Sequence, residues 1–372
     1  LMASSYILAA CRSAVTPRNG TLAALKPHEI GAHVARACLQ QADIPMARID
    51  EIILGNILAL EGNLARIIGL AMGLEARVAG LTIDRQCASG LDAIVLADAL
   101  IRAKAADLVL AGGVESYSHR PACFPAGETI IPDQPCLQPP FTPWANADPD
   151  MFAAAEALGK KFAITRDEQD AWACASHRKA RTAGPHLAAE IVADHHSLLA
   201  ADAHTGRVSA KLAARAHPIT GSITAANTAI EADGAAFCLV ASAAVARTAR
   251  TRPVRIAHGL TIGDAHQLPG QAPITAIQHA FSHTGLAPAD LRCAEIMEAF
   301  AVQTLVNIRE SGLDPSIVNI RGGALARGHP AGASGAILAV RLVHELRSRS
   351  GYGLAAIAAA GGLATSLILE SP

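Results

Sequence analysis

Leu81-Thr-Ile-Asp-Arg-Gln-Cys87-Ala-Ser-Gly90 runs directly into Leu91-Asp-Ala-Ile-Val-Leu-Ala-Asp-Ala-Leu-Ile101. A short strand-like run enters a turn of small residues, and a helix opens at once. Leu91, Ile94, Val95, Leu96, Ala97, Leu100 and Ile101 leave that helix little polar face beyond Asp92 and Asp98. A helix apolar nearly all round is enclosed by other elements, so the fold must be layered around it. Cys87 sits just ahead of the helix N-terminus, where free N–H groups and the positive end of the helix dipole favour a thiolate. The alternative for this residue is a small buried apolar side chain, the commoner role of free cysteine.

A second unit of the same kind lies near the other end of the chain. Val318-Asn-Ile-Arg-Gly-Gly-Ala-Leu-Ala-Arg-Gly-His329-Pro-Ala-Gly-Ala-Ser-Gly335 is followed by Ala336-Ile-Leu-Ala-Val340. It again pairs a glycine-rich turn carrying one reactive side chain with a helix that is apolar nearly all round at its start. Upstream of each unit the order of elements also repeats. A helix over residues 28–41, a strand over 49–55 and a helix over 61–74 find counterparts at 274–284, 294–297 and 300–311. Two related halves would pack their buried helices side by side between sheets, bringing Cys87 and His329 together.

Composition bounds the function. With 372 residues, 51% hydrophobic and 17% charged, the chain has ample core and is not disordered. A net charge of −1 and the absence of any Lys/Arg run argue against nucleic-acid binding. Eight cysteines at 11, 38, 87, 123, 136, 174, 238 and 293 form no C-x-x-C pair, the pattern of free thiols in a reducing compartment. Leu1 before Met2 reads as an expression scar, and no secretory leader follows, so a cytoplasmic location is expected. Residues 351–369 carry no charge and are long enough to span a membrane, but their alanines and central Gly361-Gly362 read as two buried strands and a tight turn. His279 and His283, four apart on a predicted helix, lack a third ligand at a usable spacing, and no metal is expected.

Between the halves the texture changes. Pro121, Pro125, Pro132, Pro135, Pro139, Pro140, Pro143 and Pro149 preclude regular structure, and helices follow from Met151 and Arg166. The expected organisation is an N-terminal half from 1–115 and 231–248, an inserted loop domain over 116–230, and a C-terminal half over 249–372. A long insertion on an α/β body is usually functional, or else serves oligomer contacts.

The chain resembles the thiolase superfamily over essentially its whole length. Gln86-Cys-Ala-Ser-Gly90, Ala111-Gly-Gly-Val-Glu-Ser116, Arg166-Asp-Glu-Gln-Asp-Ala171, Ile223-Thr-Ala-Ala-Asn227, Asp233-Gly-Ala-Ala236, Glu298-Ala-Phe-Ala301 and Gly328-His-Pro-Ala-Gly-Ala-Ser-Gly335 carry the likeness. It implies a five-layered α/β/α/β/α fold from two pseudo-repeated halves, a loop domain over the coenzyme A thioester that is the substrate, and a homodimer or homotetramer. It implies no permanently bound cofactor. Cys87 would take the acyl group, His329 would activate it, and Glu298, Gly328 and Ser334 belong to the supporting motifs.

Five positions depart from that pattern. Met297 replaces an asparagine that holds a water for the enolate oxygen, and Ala358 replaces a second cysteine that acts as base. Ala360 replaces a glycine whose N–H serves an oxyanion hole, and Ala229 with Ile230 replaces small polar or glycine positions near coenzyme A. Losing a base costs about a hundredfold to ten-thousandfold, so Claisen and thiolysis activity is expected to be doubtful, with acylation of Cys87 intact. An acyl carrier protein thioester is a second donor to consider, and Lys160, Lys161, Lys179, Arg207, Lys211 and Arg215 are candidate phosphate contacts. The leading reading is an acyl-CoA acyltransferase; a thioester hydrolase and a non-catalytic acyl-CoA or partner-binding subunit are the alternatives.

Overall fold

The computed structural model describes residues 4–124, 139–193 and 199–372. Pro125, Pro132, Pro135 and Cys136 lie outside the described residues. Nine strands carry the architecture: β1 Ser5–Arg12, β2 Glu51–Gly55, β3 Ala79–Ile83, β4 Leu108–Ser116, β5 Ala232–Ser242, β6 Val254–Gly263, β7 Leu291–Ile296, β8 Gly351–Ala359 and β9 Leu363–Ser371. The helices used below are α1 Pro27–Ala42, α2 Leu64–Met72, α3 Ser89–Arg102, α4 Met151–Lys161, α5 Arg166–Thr182, α6 Ala272–Thr284, α7 Ala301–Glu310 and α8 Ala331–Arg347.

The strands pair in the order β7-β8-β9-β6-β1-β5-β4-β2-β3. Within the first half, β1–β5 and β5–β4 are antiparallel and β4–β2 is parallel. In the second, β6–β9 and β9–β8 are antiparallel and β8–β7 is parallel, so the same pattern occurs twice. The halves are stitched at β1–β6 through only Tyr6↔Arg255 and Ile7↔Val254. The turn between β8 and β9 uses Gly361 and Gly362 at φ 81° and 75°, a conformation that costs glycine nothing. Among the described residues no helix is long and apolar enough to cross a membrane.

Helices α3 and α8 lie between the two leaves of this sheet. Helix α3 packs on β2, β4, β5, β6 and β9, and α8 on β1, β4, β5, β7, β8 and β9, while α1 and α2 cover one outer face and α6 the other. The result is five layers, α/β/α/β/α. The two carboxylates of α3 each find a partner in a different half: Asp98 accepts from Ser5 of β1, and Asp92 from Thr261 of β6. Enclosure of α3 therefore leaves both carboxylates hydrogen-bonded, as buried charge requires.

Glycines set how closely α3 and α8 approach. A Cβ on Gly90 would lie 2.7 Å from the Gly332 carbonyl and 2.8 Å from the Ala336 nitrogen, and one on Gly335 would run into the Leu91 backbone. Gly55 of β2 meets Gly90 and Gly332 in the same way. Helix α8 itself is anchored from the insertion as well: Glu190 binds Arg12 of β1 at 2.7 Å and Arg341 of α8 at 3.1 Å, all buried. Burial would raise the Glu190 pKa, but Arg341 and Arg12 hold it down at about 2.

Because backbone, not a flexible side chain, faces Gly335, Gly335→Ala is expected to destabilise the fold by about 1–3 kcal/mol through overpacking. A denaturant midpoint unchanged from the parent would contradict a backbone-limited crossing.

Candidate active site

The turn between β3 and α3 is wound tightly. Gln86 adopts φ 50°, the Ala88 N–H donates to the Arg85 carbonyl and the Ser89 N–H to that of Gln86. The Ser89 hydroxyl accepts from the Arg85 N–H at 2.8 Å and donates to the Gln86 carbonyl at 2.5 Å. Cys87 is held at the crest of this turn, half-buried.

His329 arrives from the opposite half. Gly328 at φ 114° turns the chain, and the His329 N–H donates to the Ile230 carbonyl at 2.8 Å. Its Nε2 lies 3.2 Å from Cys87 Sγ and its Nδ1 lies 2.6 Å from Ser334 Oγ. Ser334 gives its single proton to the Pro330 carbonyl at 3.1 Å, so its oxygen accepts from His329 and Nδ1 carries the hydrogen. The lone pair of Nε2 is thereby left facing the Cys87 thiol.

Burial favours the uncharged form of both members of the pair. Burial pushes the Cys87 thiol up to about 12, with Glu115 adding to the effect. Burial likewise lowers His329 to about 4. Against the expected preparation of a thiolate stands burial, which disfavours the anion, while the Cys87 N–H favours it; the Ala88, Ser89, Leu91 and Asp92 N–H groups are spent on the Arg85, Gln86 and Ala88 carbonyls. What remains is a thiol with a base in hydrogen-bond reach.

Glu298 does not reach the pair. Its carboxylate accepts from Trp172 at 3.0 Å, Ser176 at 2.8 Å, Asn319 at 2.8 Å and the Leu325 N–H at 3.1 Å. It ties α5 of the insertion to the segment that leads into Gly328 and His329. Glu115, quoted above only within a motif, plays a similar part beside Cys87. It accepts from Asn56 at 2.8 Å, from the Ile57 and Leu58 N–H groups at 3.2 Å, and from the Gly332 N–H at 2.8 Å. Burial raises its carboxyl to about 7 against those donors.

A pocket open to solvent, with an interior of about 40 Å³, includes Cys87 in its lining. Ala358 and Ala360 line it together with Phe300, Met151 and Leu158. The Ala229 N–H donates to the Ala299 carbonyl at 2.9 Å, which sets the 227–229 and 299–301 segments side by side. Met297 points elsewhere, into the core around α3 and α8, while its N–H donates to Ala356. Lys211 and Arg215 are exposed on the short helix Ala210–Arg215 and do not line the pocket. Lys161 is engaged by Gln271 at 2.7 Å and Lys179 by the Val318 carbonyl at 3.1 Å. No group of three or more His, Cys, Asp or Glu among the described residues could hold a metal ion.

The contribution of α4 was missed in the sequence reading. Met151, Ala154, Ala155 and Leu158 fall at helical spacing on one face, a signal indistinguishable from an ordinary core stripe.

Residues 5–244 match the family description "Thiolase, N-terminal domain" and residues 251–371 match "Thiolase, C-terminal domain". An acetyl-CoA acetyltransferase of Paracoccus denitrificans is 36% identical over 392 residues, covering 100% of both chains. A steroid 3-ketoacyl-CoA thiolase of Mycobacterium tuberculosis is 33% identical over 387 residues, covering 100% of this chain and 95% of the relative. The crystal structure of the Acat5 thiolase from Ascaris suum in complex with coenzyme A superposes with a TM-score of 0.92 at 33% identity, over 99% of this chain and 100% of that one.

With His329 at about 4 and Cys87 at about 12, neither group changes charge between those values. Ultraviolet thiolate absorbance, taken as parent minus Cys87→Ala, should therefore show no step between pH 5 and 9, roughly the range in which an ordinary thiol begins to ionise. A thiolate step below about pH 8 would indicate an ion pair instead.

Proposed function

The chain belongs to the thiolase family and is an acyltransferase, and from that premise we propose that it moves acyl groups between coenzyme A thioesters through an acyl-thioester on Cys87. The observation that carries this reading is the 3.2 Å approach of His329 Nε2 to Cys87 Sγ, which lines a largely apolar pocket. The doubt about Claisen and thiolysis chemistry does not stand, because full-length relatives are named as acetyl-CoA acetyltransferases and 3-ketoacyl-CoA thiolases. Neither hydrolysis nor a non-catalytic role is favoured over acyl transfer.

With Ala358 in place of a second cysteine, the base must be sought elsewhere, and His329 serves both half-reactions. Cys87 Sγ attacks the 3-oxo carbon of a 3-oxoacyl thioester as His329 Nε2 takes its proton. The bond between carbons 2 and 3 breaks, its electron pair stays on carbon 2, and His329 returns the proton there. The thiol of a second coenzyme A then gives its proton to His329 and attacks the acyl carbon. Cys87 leaves as thiolate and takes that proton back. Condensation is the same sequence reversed. Ser334 holds the tautomer, and Ala360, just past the last β8–β9 pair at Ala359↔Leu363, keeps an N–H for the carbonyl oxygen.

The division into halves at 1–115 with 231–248 and at 249–372, with a loop domain at 116–230 over the thioester, is part of this proposal. So are a cytoplasmic location, assembly as a homodimer or homotetramer, and coenzyme A thioester as substrate with no resident cofactor.

Intact-protein mass spectrometry with acyl-CoA donors should show one adduct, absent in Cys87→Ala; no adduct with any donor would overturn the reading. A second test concerns the missing base. If Met297 and Ala358 left a vacant catalytic role, Met297→Asn with Ala358→Cys would raise thiolysis about a hundredfold or more. With His329 serving both steps, the rise should stay below about tenfold.

A further inference from the structure

Helix α5 ends in a run of cations, Arg178, Lys179 and Arg181, and the first two line a cleft that shares no residue with the pocket at Cys87. This cleft, about 390 Å³ in volume and open to solvent, lies between the last turn of α5, the short helix Gly184–Leu187 and Ile320-Arg321. Arg178, Lys179, His186 and Arg321 line it, and no carboxylate does. Cations near a helix C-terminus answer the helix dipole, which accounts for one or two of them but not for Arg321. Burial lowers the Lys179 pKa against the pull of Glu298 and Glu295, and Arg178 lowers it further. The carboxylate that answers Arg321, Glu345, is shared with Arg341 and Arg349. Arg178 is exposed and, among the described residues, forms no ion pair. Two of the cations are nevertheless held in place. Lys179 donates to the Val318 carbonyl at 3.1 Å and lies 5.2 Å from the centre of the Trp172 ring, and Arg321 is bound by Glu345. Donors already fixed lose little freedom when a ligand arrives.

We propose that this cleft binds a phosphate monoester at a second site, apart from the thioester, and that the bound group clamps α5 to the segment leading to His329. Guanidinium groups pair with phosphate bidentately and an ammonium adds a point charge, so Arg178, Arg321 and Lys179 together suit a dianion. At about 30 Å³ per water-sized group, a phosphate of five heavy atoms takes about 150 Å³, which leaves space for the alcohol it esterifies. The two sides of the cleft are the elements that Glu298 joins deeper in the fold, accepting from Trp172 and Ser176 of α5 and from Asn319 and the Leu325 N–H. Gly322 also lies directly on α5, where a Cβ would come within 2.5 Å of the Ser176 carbonyl oxygen. A dianion bridging Arg178 and Arg321 adds a further tie at the solvent end of that seam.

Isothermal titration calorimetry of the full chain, with inorganic phosphate and with glycerol phosphate at constant ionic strength, tests the site. Saturable binding of one equivalent is expected, weakened at least about tenfold by Arg178→Glu, as loss of one charge-assisted contact requires. Amide hydrogen exchange over residues 318–325, followed by mass, should slow with phosphate in the parent and not in Arg178→Glu. Absence of saturable binding, or equal binding by parent and variant, overturns the site, and binding that leaves exchange unchanged overturns the clamp. Displacement of phosphate by coenzyme A but not by dephospho-coenzyme A would make the cleft the seat of the substrate's own 3′-phosphate and overturn the second site. Should Arg178→Glu fail to fold by circular dichroism, Arg178→Gln takes its place. None of these readings depends on acylation of Cys87, so the inference stands or falls apart from the acyl-enzyme reading.

Discussion

The structure depends on how closely α3 and α8 can cross. Gly90, Gly332 and Gly335 let backbone meet backbone there, with Gly55 of β2 filling the remaining side. Each helix begins at a turn that bears one reactive residue, so the crossing fixes the separation of Cys87 and His329. A side chain wedged between the helices would move one turn relative to the other, and a shift of about 1 Å at a reacting pair is enough to cost two orders of magnitude in rate. The rest of the fold holds that geometry. Asp98 and Asp92 tie α3 to β1 and β6, Glu115 binds the α8 N-terminus, and Glu298 fastens the segment before His329.

The same enclosure sets the electrostatics. A site between two sheets is dry, and a dry site favours the uncharged forms of thiol and imidazole. Cysteine nucleophiles are often prepared as ion pairs; in the mechanism proposed here the proton stays on sulfur until attack, with Nε2 of His329 3.2 Å away to receive it. A base that is neutral at rest and cationic only transiently can return its proton within the same cycle. In the proposed mechanism one imidazole therefore serves where a second cysteine is replaced by Ala358.

Much of this was legible in the chain itself. The enclosed helix after Cys87, its counterpart after His329 and the repeated element order sufficed to place the two turns together. The five-layered architecture, in contrast, came from the resemblance to thiolases. The opposition of burial to a Cys87 thiolate was not legible, because the winding of the turn at 84–89 is a detail of φ angles and a Ser89 hydroxyl that no spacing reveals. Glu115 lay inside a quoted motif, yet its role beside Gly332 depends on a contact 217 residues away in sequence. The α4 wall escaped because apolar residues at helical spacing read alike whether they face a core or a substrate chamber.

The account turns on His329 acting as the base for Cys87, and the rate of Cys87 alkylation by iodoacetamide near pH 7 measures that coupling most directly. His329→Ala should retain the parent's fold by circular dichroism and alkylate about a hundredfold more slowly or less, as loss of a positioned base requires. An unchanged rate in a well-folded His329→Ala protein would contradict the pairing and the mechanism built on it.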